Sequence, residues 1–328
     1  MFCPPIFVLI NNYQMKILDF FNKYPDENSC KLAFKAHREE YGVVCKKCKM
    51  AKHYWLKTKE LYECKSCGFR MSLKSGTLLE NSKLPYQYWF IAMHLMTATK
   101  KTISALEMKS QLGHKFYEPI WAMMHKIRRV LSERDNTYKL DGEVELDEGF
   151  YSISFSFDIN EFTGRRELLK RGKGTQRKAK VLVMASYNKV PISKFNHKKY
   201  KTPKKLKFIK MKVVEDLESG TINKEVIQSI SLESTVHTDA YRSYSKLPEI
   251  IEKHCSYNLQ YDNSDAVLPW VHKAITNSKN LVKAIHHCVN PEYLQNYLDE
   301  FCYKHNRRTF KNKVFERALI AAVSFTWY

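Results

Sequence analysis

No stretch of this 328-residue chain approaches the roughly 18 uninterrupted apolar residues of a membrane span. The run Phe7-Val8-Leu9-Ile10 is too short for a secretory signal and lacks a basic leader. Met15 offers an alternative start that would leave residues 1–14 dispensable. Internal repeats are absent, and the one compositionally biased tract is the Lys-rich stretch Lys194–Lys212. Without an export signal, nine cysteines, an odd number, argue against a disulfide framework and for a reducing, cytoplasmic setting. Acidic residues are scarce as well, 34 against 55 Lys and Arg, a net charge of +21. A soluble protein of this charge points to a polyanionic partner, either nucleic acid or an acidic membrane surface.

The chain is long enough for about two domains. Its 44% apolar content, with 18 Phe and 20 Tyr, excludes wholesale disorder. The charge is unevenly placed. Residues 1–134 hold 23 basic and 11 acidic side chains, and residues 135–164 hold 1 and 8. Residues 165–212 hold 18 and 1, and residues 213–328 hold 13 and 14. A charge run is often only a solvated face, but an acidic block abutting a basic one suits a metal site facing a phosphate backbone.

Residues 16–42 read as helical, interrupted at Pro25. Short strands are expected around the cysteine pairs in 43–75, and helices from Leu84 to Leu131. After a linker at 135–140, Val144–Asp147, Val181–Ala185, Phe208–Val214 and Thr235–Asp239 have strand character. Helical patterns cover Asn223–Ile230 and Pro291–His305. The expected division is a helical segment 1–42, a ribbon 43–75, a helical region 76–134 and an α/β domain 135–328.

Cys45-Lys46-Lys47-Cys48 and Cys64-Lys65-Ser66-Cys67 form two C-x2-C turns whose four thiolates complete a tetrahedron around structural Zn2+. Gly68 follows the second turn, where such a knuckle needs positive φ. The other cysteines lack this spacing.

Ser104-Ala105-Leu106-Glu107 has the form of a capping box, Gly113 ends the helix it opens, and Pro119 fits the first turn of the next. In that second helix Ile120, Met123, Met124, Ile127 and Leu131 share a face, with Lys126 and Arg129 off it. A helix-turn-helix entering a major groove has this pattern, as do many plain helical hairpins.

Val144-Glu145-Leu146-Asp147 alternates as a half-buried strand does, and Val236-His237-Thr238-Asp239 ends another strand on a carboxylate. Such aspartates serve either as turn or helix caps or, converging from one sheet, as ligands of divalent ions.

Several segments together resemble bacterial insertion-sequence transposases of the ISXO type. The cysteine quartet encloses His53-Tyr54-Trp55-Leu56-Lys57-Thr58-Lys59, and Lys74-Ser75-Gly76-Thr77 and His125-Lys126-Ile127-Arg128 follow it. The resemblance continues through Glu145-Leu146-Asp147-Glu148, His237-Thr238-Asp239-Ala240-Tyr241, Leu268-Pro269-Trp270-Val271-His272 and Ile275-Thr276-Asn277-Ser278-Lys279. It implies a ribonuclease-H-like α/β catalytic domain with a triad whose third member is Glu or Asn.

Carried over, the catalytic positions are Asp147, Asp239, Asn277 and Lys279, with Asp147, Asp239 and Asn277 holding two Mg2+ ions, or Mn2+. Asn277 as a helix cap is the alternative, with Glu292, Asp299 and Glu300 as fallback acids. The resemblance further implies double-stranded DNA as partner, both element ends and target, no membrane, and at least a homodimer at work. Lys126, Arg129, Arg165, Arg166, Lys170, Arg171, Lys173 and Lys178 are the expected DNA contacts. A solvated insertion is the alternative for 165–212. A non-catalytic DNA-binding regulator and a nuclease without strand transfer are the rival functions.

Overall fold

The computed structural model describes residues 15–99, 101–154, 178–189, 204–258, 267–286, 289–310 and 313–324. In chain order the front half holds α1 (Ile17–Lys23), α2 (Glu27–Tyr41), β1 (His53–Leu56), β2 (Leu61–Cys64), β3 (Arg70–Ser72), α3 (Tyr86–Ala98), α4 (Ala105–Gln111) and α5 (Glu118–Asn136). The back half holds β4 (Glu143–Ser152), β5 (Lys178–Lys189), β6 (Lys204–Val214), α6 (Ser219–Ser229), β7 (Thr235–Asp239) and β8 (Lys253–Tyr257). It ends with α7 (Pro269–His286), α8 (Pro291–Asn306) and α9 (Lys313–Ser324). No described helix is long and apolar enough to cross a membrane.

The chain divides into two compact units, Met1–Val130 with Arg307–Tyr328, and Leu131–Asn306. This departs from the expected single block 135–328, because the last helix belongs to the first unit. There the Phe315 ring lies 5.5 Å from Phe20, 5.6 Å from Tyr24 and 5.7 Å from Phe90. Leu78 N–H also donates to Ala322 C=O at 3.0 Å.

Within the first unit, Pro25 separates α1 from α2, as expected, and Asp26 caps α2 by accepting from Ser29 N–H at 2.7 Å. Three antiparallel strands in the order β1-β2-β3 form the ribbon sheet. Arg38, buried on α2, ties that helix to the ribbon by donating to the carbonyls of Ser72, Leu73 and Ser75. Ser104 caps α4 by accepting from Glu107 N–H at 3.1 Å, and Gly113 turns the chain beyond it at φ 62°. In α5, Ile120, Met123, Met124 and Ile127 are buried on one face, as their spacing predicts.

The second unit is a five-stranded sheet in the order β6-β5-β4-β7-β8, layered between helices. Strands β4, β5 and β6 are antiparallel neighbours, while β4–β7 and β7–β8 run parallel. One sheet face packs Val181, Val183, Ala185, Ile209 and Met211 against α7 and α8. The other packs Val144, Leu146, Leu182, Met184 and Val236 against α6 and the turn holding Tyr244 and Leu247.

Candidate metal centres

The four predicted zinc ligands converge. Cys45, Cys48, Cys64 and Cys67 bring their sulfurs within 4.8 Å of one another. The Cys45–Cys67 and Cys48–Cys64 pairs are 3.7 and 3.5 Å apart. A tetrahedron with Zn–S bonds of about 2.3 Å has edges of about 3.8 Å, so this quartet fits Zn2+. The two turns share one design. Lys49 N–H donates to Cys45 C=O at 2.9 Å and Gly68 N–H to Cys64 C=O at 3.0 Å. Both donors have positive φ, 61° and 68°. The backbone N–H of Cys48 holds the Cys45 thiol down at about 6, and that of Cys67 lowers Cys64 in the same way. These bonds favour the thiolates that Zn2+ needs. Cys48 is instead pushed up to about 12: the Met50 N–H lowers it, but burial and the crowding of Cys67, Cys64 and Cys45 outweigh that. A bound Zn2+ would relieve this crowding.

The acidic site sits on the α7 side of the second sheet. Register pairs Glu143 with Thr235 and Glu145 with His237, where the pairing ends, and Asp147 and Asp239 each follow two residues beyond that last pair. Alternation sends Val144 and Leu146 into the α6-side core and leaves Glu145 and Asp147 on the α7 side. Asp239 is raised above the usual carboxylate range, first by burial and then by the charge of Asp147, while the Tyr241 N–H opposes the shift. Glu148, next along β4, is half-buried beside Tyr244 and pushed up to about 7 by desolvation, with Asp147 and Asp239 adding to it. Three crowded carboxylates with oxygen donors are a set that a hard divalent cation would relieve. Among the described residues, however, only the cysteines draw three ligand atoms within 4.8 Å of one another. Ligands divided between two ions about 3.5–4 Å apart need not close that far.

Helix α7 is pinned to this site. Buried Glu145 accepts from the Trp270 N–H at 2.7 Å and the Val271 N–H at 3.0 Å, both through Oε2, at the positive end of the helix. In the next position, His272 Nε2 stands 3.2 Å from Asp147 Oδ2. Gly149 leaves room for the Tyr151 ring of the same strand, since a Cβ there would stand 2.8 Å from it, while Ile275 of the helix would lie at an ordinary contact distance of 3.5 Å. Strand β4 runs on through Gly149 to Ser152. Lys279 falls on the same flank as His272, seven positions later and within about 20° around the helix. Burial lowers its ammonium, the nearby Lys178 adds to this, and Asp147 opposes it.

Asn277 does not join this group. The helix packs on the sheet through Val271, Ala274, Ile275 and Val282. Asn277 is exposed, about 140° round from His272 and on the other flank of that packed stripe. The fallback acids lie apart too. Glu292 is exposed in the first turn of α8, while Asp299 and Glu300 are buried in its packed interior. Sequence reasoning gave no role to Glu145, Glu148 or His272. The adjacent acids Asp147-Glu148 and the phrase Trp270-Val271-His272 were the available signals.

Of the expected DNA contacts, Arg129 is exposed on α5 and Lys178 is exposed at the start of β5. Lys126 is instead half-buried and donates to Glu80 C=O at 3.2 Å, so part of its charge is spent on the fold. Arg165, Arg166, Lys170, Arg171 and Lys173 lie outside the described residues. The end of the basic block is structural: Lys207 pairs with Asp141 at 2.7 Å and buried Lys210 donates to Tyr138 C=O.

Comparison with known proteins places both units. The family model of ISXO2-like transposase domains matches residues 139–306, and that of transposase zinc-ribbon domains matches residues 25–70. No curated protein matches the chain. Among solved structures, "Crystal structure of a pre-cleavage Mos1 transpososome" aligns with 76% of this chain and 82% of that chain, at 11% identity and a TM-score of 0.28. With the zinc-ribbon match in front and the transposase match spanning just over half of its length, the chain belongs to the ISXO2-like transposases.

Proposed function

We propose that this DNA transposase binds the ends of its own insertion sequence and catalyses metal-dependent strand cleavage followed by strand transfer. The observation that carries the proposal is that Asp147 and Asp239 each lie two residues beyond Glu145 and His237, the last paired residues of the adjacent parallel strands β4 and β7, near enough for the charge of Asp147 to act on Asp239. The order β6-β5-β4-β7-β8, with three antiparallel strands leading into two parallel ones, supports a ribonuclease-H-like reading of the fold.

In this reading Asp147 and Asp239 hold two Mg2+ ions, with Mn2+ as a substitute. Such a pair, when bound, activates an attacking oxygen and stabilises the leaving one. The chain's own residues do the rest. Glu148 stands behind the pair with its carboxyl raised to about 7, and bound cations would draw it into the charged form. Lys279 and Lys178 bring cationic charge to its rim, where they would hold a phosphate of the scissile strand. Arg129 on α5, the second helix of a helix-turn-helix, and the basic residues 165–173 would track the DNA backbone. Joining two DNA ends requires at least two copies of the chain, working where the element's DNA lies.

The test uses duplex DNA carrying the element's terminal repeats. Asp239→Asn should abolish strand cleavage in Mg2+ while leaving DNA binding and zinc content unchanged. Cleavage surviving in that variant would refute the assignment. Binding with no cleavage by the unaltered protein would favour a regulator derived from a transposase.

A further inference from the structure

The metal centre proposed above has two aspartates in place and, at Asn277, a third expected residue that is exposed on the wrong flank of α7. Another side chain of the same helix does face the first of them, Asp147. His272 puts Nε2 3.2 Å from Asp147 Oδ2. We propose that His272 is the third metal-facing residue of the catalytic centre, donating an imidazole nitrogen where the family resemblance would place the Asn277 amide.

Three features argue for this beyond proximity. First, the position is built. Glu145, fully buried and two residues before Asp147, clamps the Trp270 and Val271 amides, so the strand that carries the first aspartate also fixes the helical turn that carries His272. Second, the flank is set by packing. Val271, Ala274, Ile275 and Val282 are held in the core, and turning Asn277 towards Asp147 would expose them. Third, His272 is partly open, with 28% of its side chain accessible beside Asp147 at 17%, so the pair faces a space that solvent and an ion can enter. A nitrogen donor also has a chemical consequence. Mg2+ prefers oxygen ligands, whereas transition ions accept imidazole, so His272 should tilt the centre towards Mn2+.

The inference rests on the metal-centre reading, and the experiment separates the two. The zinc-loaded full chain is titrated with Mn2+, and the bound ion is examined by pulsed electron paramagnetic resonance, which detects a coordinated 14N nucleus without reference to activity. The unaltered protein should show nitrogen modulation. His272→Ala and His272→Asn should both lose it, with native circular dichroism showing that they fold, while Asn277→Ala should keep it. Oxygen-only coordination in the unaltered protein, or modulation that survives in both His272 variants, overturns the proposal. In either case loss of Mn2+ binding in Asp147→Asn and Asp239→Asn would leave the metal-centre reading standing. Mn2+ binding undiminished in both Asp variants would instead refute that reading itself.

Discussion

Asn306 grips Ile209 by both of its backbone groups: its Oδ1 accepts from the Ile209 N–H at 2.8 Å and its Nδ2 donates to the Ile209 C=O at 2.9 Å. Ile209 lies on β6, an edge strand whose outward groups would otherwise have no strand partner. Gln295, on the same helix, continues the seal, accepting from the Val213 N–H at 2.7 Å and donating to the Met211 C=O at 2.9 Å. Side-chain amides of α8 thus stand in for a sixth strand. The Asn306 amide also donates to Asp135 at 3.0 Å and to Tyr138 at 2.9 Å, which ties the end of α5 to the same edge.

Asn306→Ala removes all four of these bonds and leaves buried backbone groups without partners. It should destabilise the second unit by about 2–4 kcal/mol, a drop read as a shift of the denaturant midpoint at constant slope. A change below about 0.5 kcal/mol would show that water replaces the amide at no cost.

Zinc should hold only the ribbon. Purified protein should carry one Zn2+ per chain, and Cys45→Ser or a strong chelator should abolish it. Protease should then cut within 43–75, whereas the unit Leu131–Asn306 keeps its own core, so the cuts made within it should not change on zinc removal. A full-length protein that binds no zinc, or a chelated ribbon that stays resistant, would contradict the four-thiolate centre.

Much of this was legible in the chain. The two C-x2-C turns, the break at Pro25 and the alternation of Val144 and Leu146 with Glu145 and Asp147 are local patterns, and local patterns survive folding. What escaped reading depends on tertiary placement. The roll of α7 decides which flank faces Asp147, and the spacing of Val271, Ala274, Ile275, Ser278 and Val282 encodes that roll. Read as a helix, the segment would have set Asn277 apart and brought His272 forward. The allegiance of α9 was not readable, because a helix with Val314, Phe315, Ala318, Leu319 and Ala322 all buried can serve either core. The basic block misled in a different way, since a lysine count cannot separate phosphate-binding side chains from those of an edge strand.

Asp299 supplies a pH dependence. Burial raises its carboxyl from 3.8 to about 6, with the Gln295 amide partly offsetting the shift. The folded state therefore binds this proton more tightly than the unfolded chain. That stabilisation is present below about pH 4 and is lost as pH rises through 6, a difference of about 3 kcal/mol. Asn keeps an acceptor for Gln295 and carries no charge. Asp299→Asn should be more stable than the parent at pH 8 and about equal to it at pH 4. Equal midpoints at pH 8 would show that the buried carboxyl ionises without penalty.

The basic block should divide by function. Replacing Arg165, Arg166, Lys170, Arg171 and Lys173 with Gln should flatten the salt dependence of DNA binding by about 0.9 in log–log slope for each phosphate no longer neutralised. Lys207→Gln and Lys212→Gln should leave the slope intact and cost stability instead, since these side chains engage Asp141 and Asn136. An unchanged slope in the five-residue variant would make that segment a bystander.

The most direct test of the central claim, that Asp147 and Asp239 ligate the ions that drive strand cleavage, is a change of metal preference. Asp239→Cys replaces a hard oxygen with a softer sulfur. Cleavage of element-end DNA by this variant should be lost in Mg2+ and recovered in Mn2+, while the unaltered protein cuts in both. Full cleavage by Asp239→Cys in Mg2+ would contradict the account.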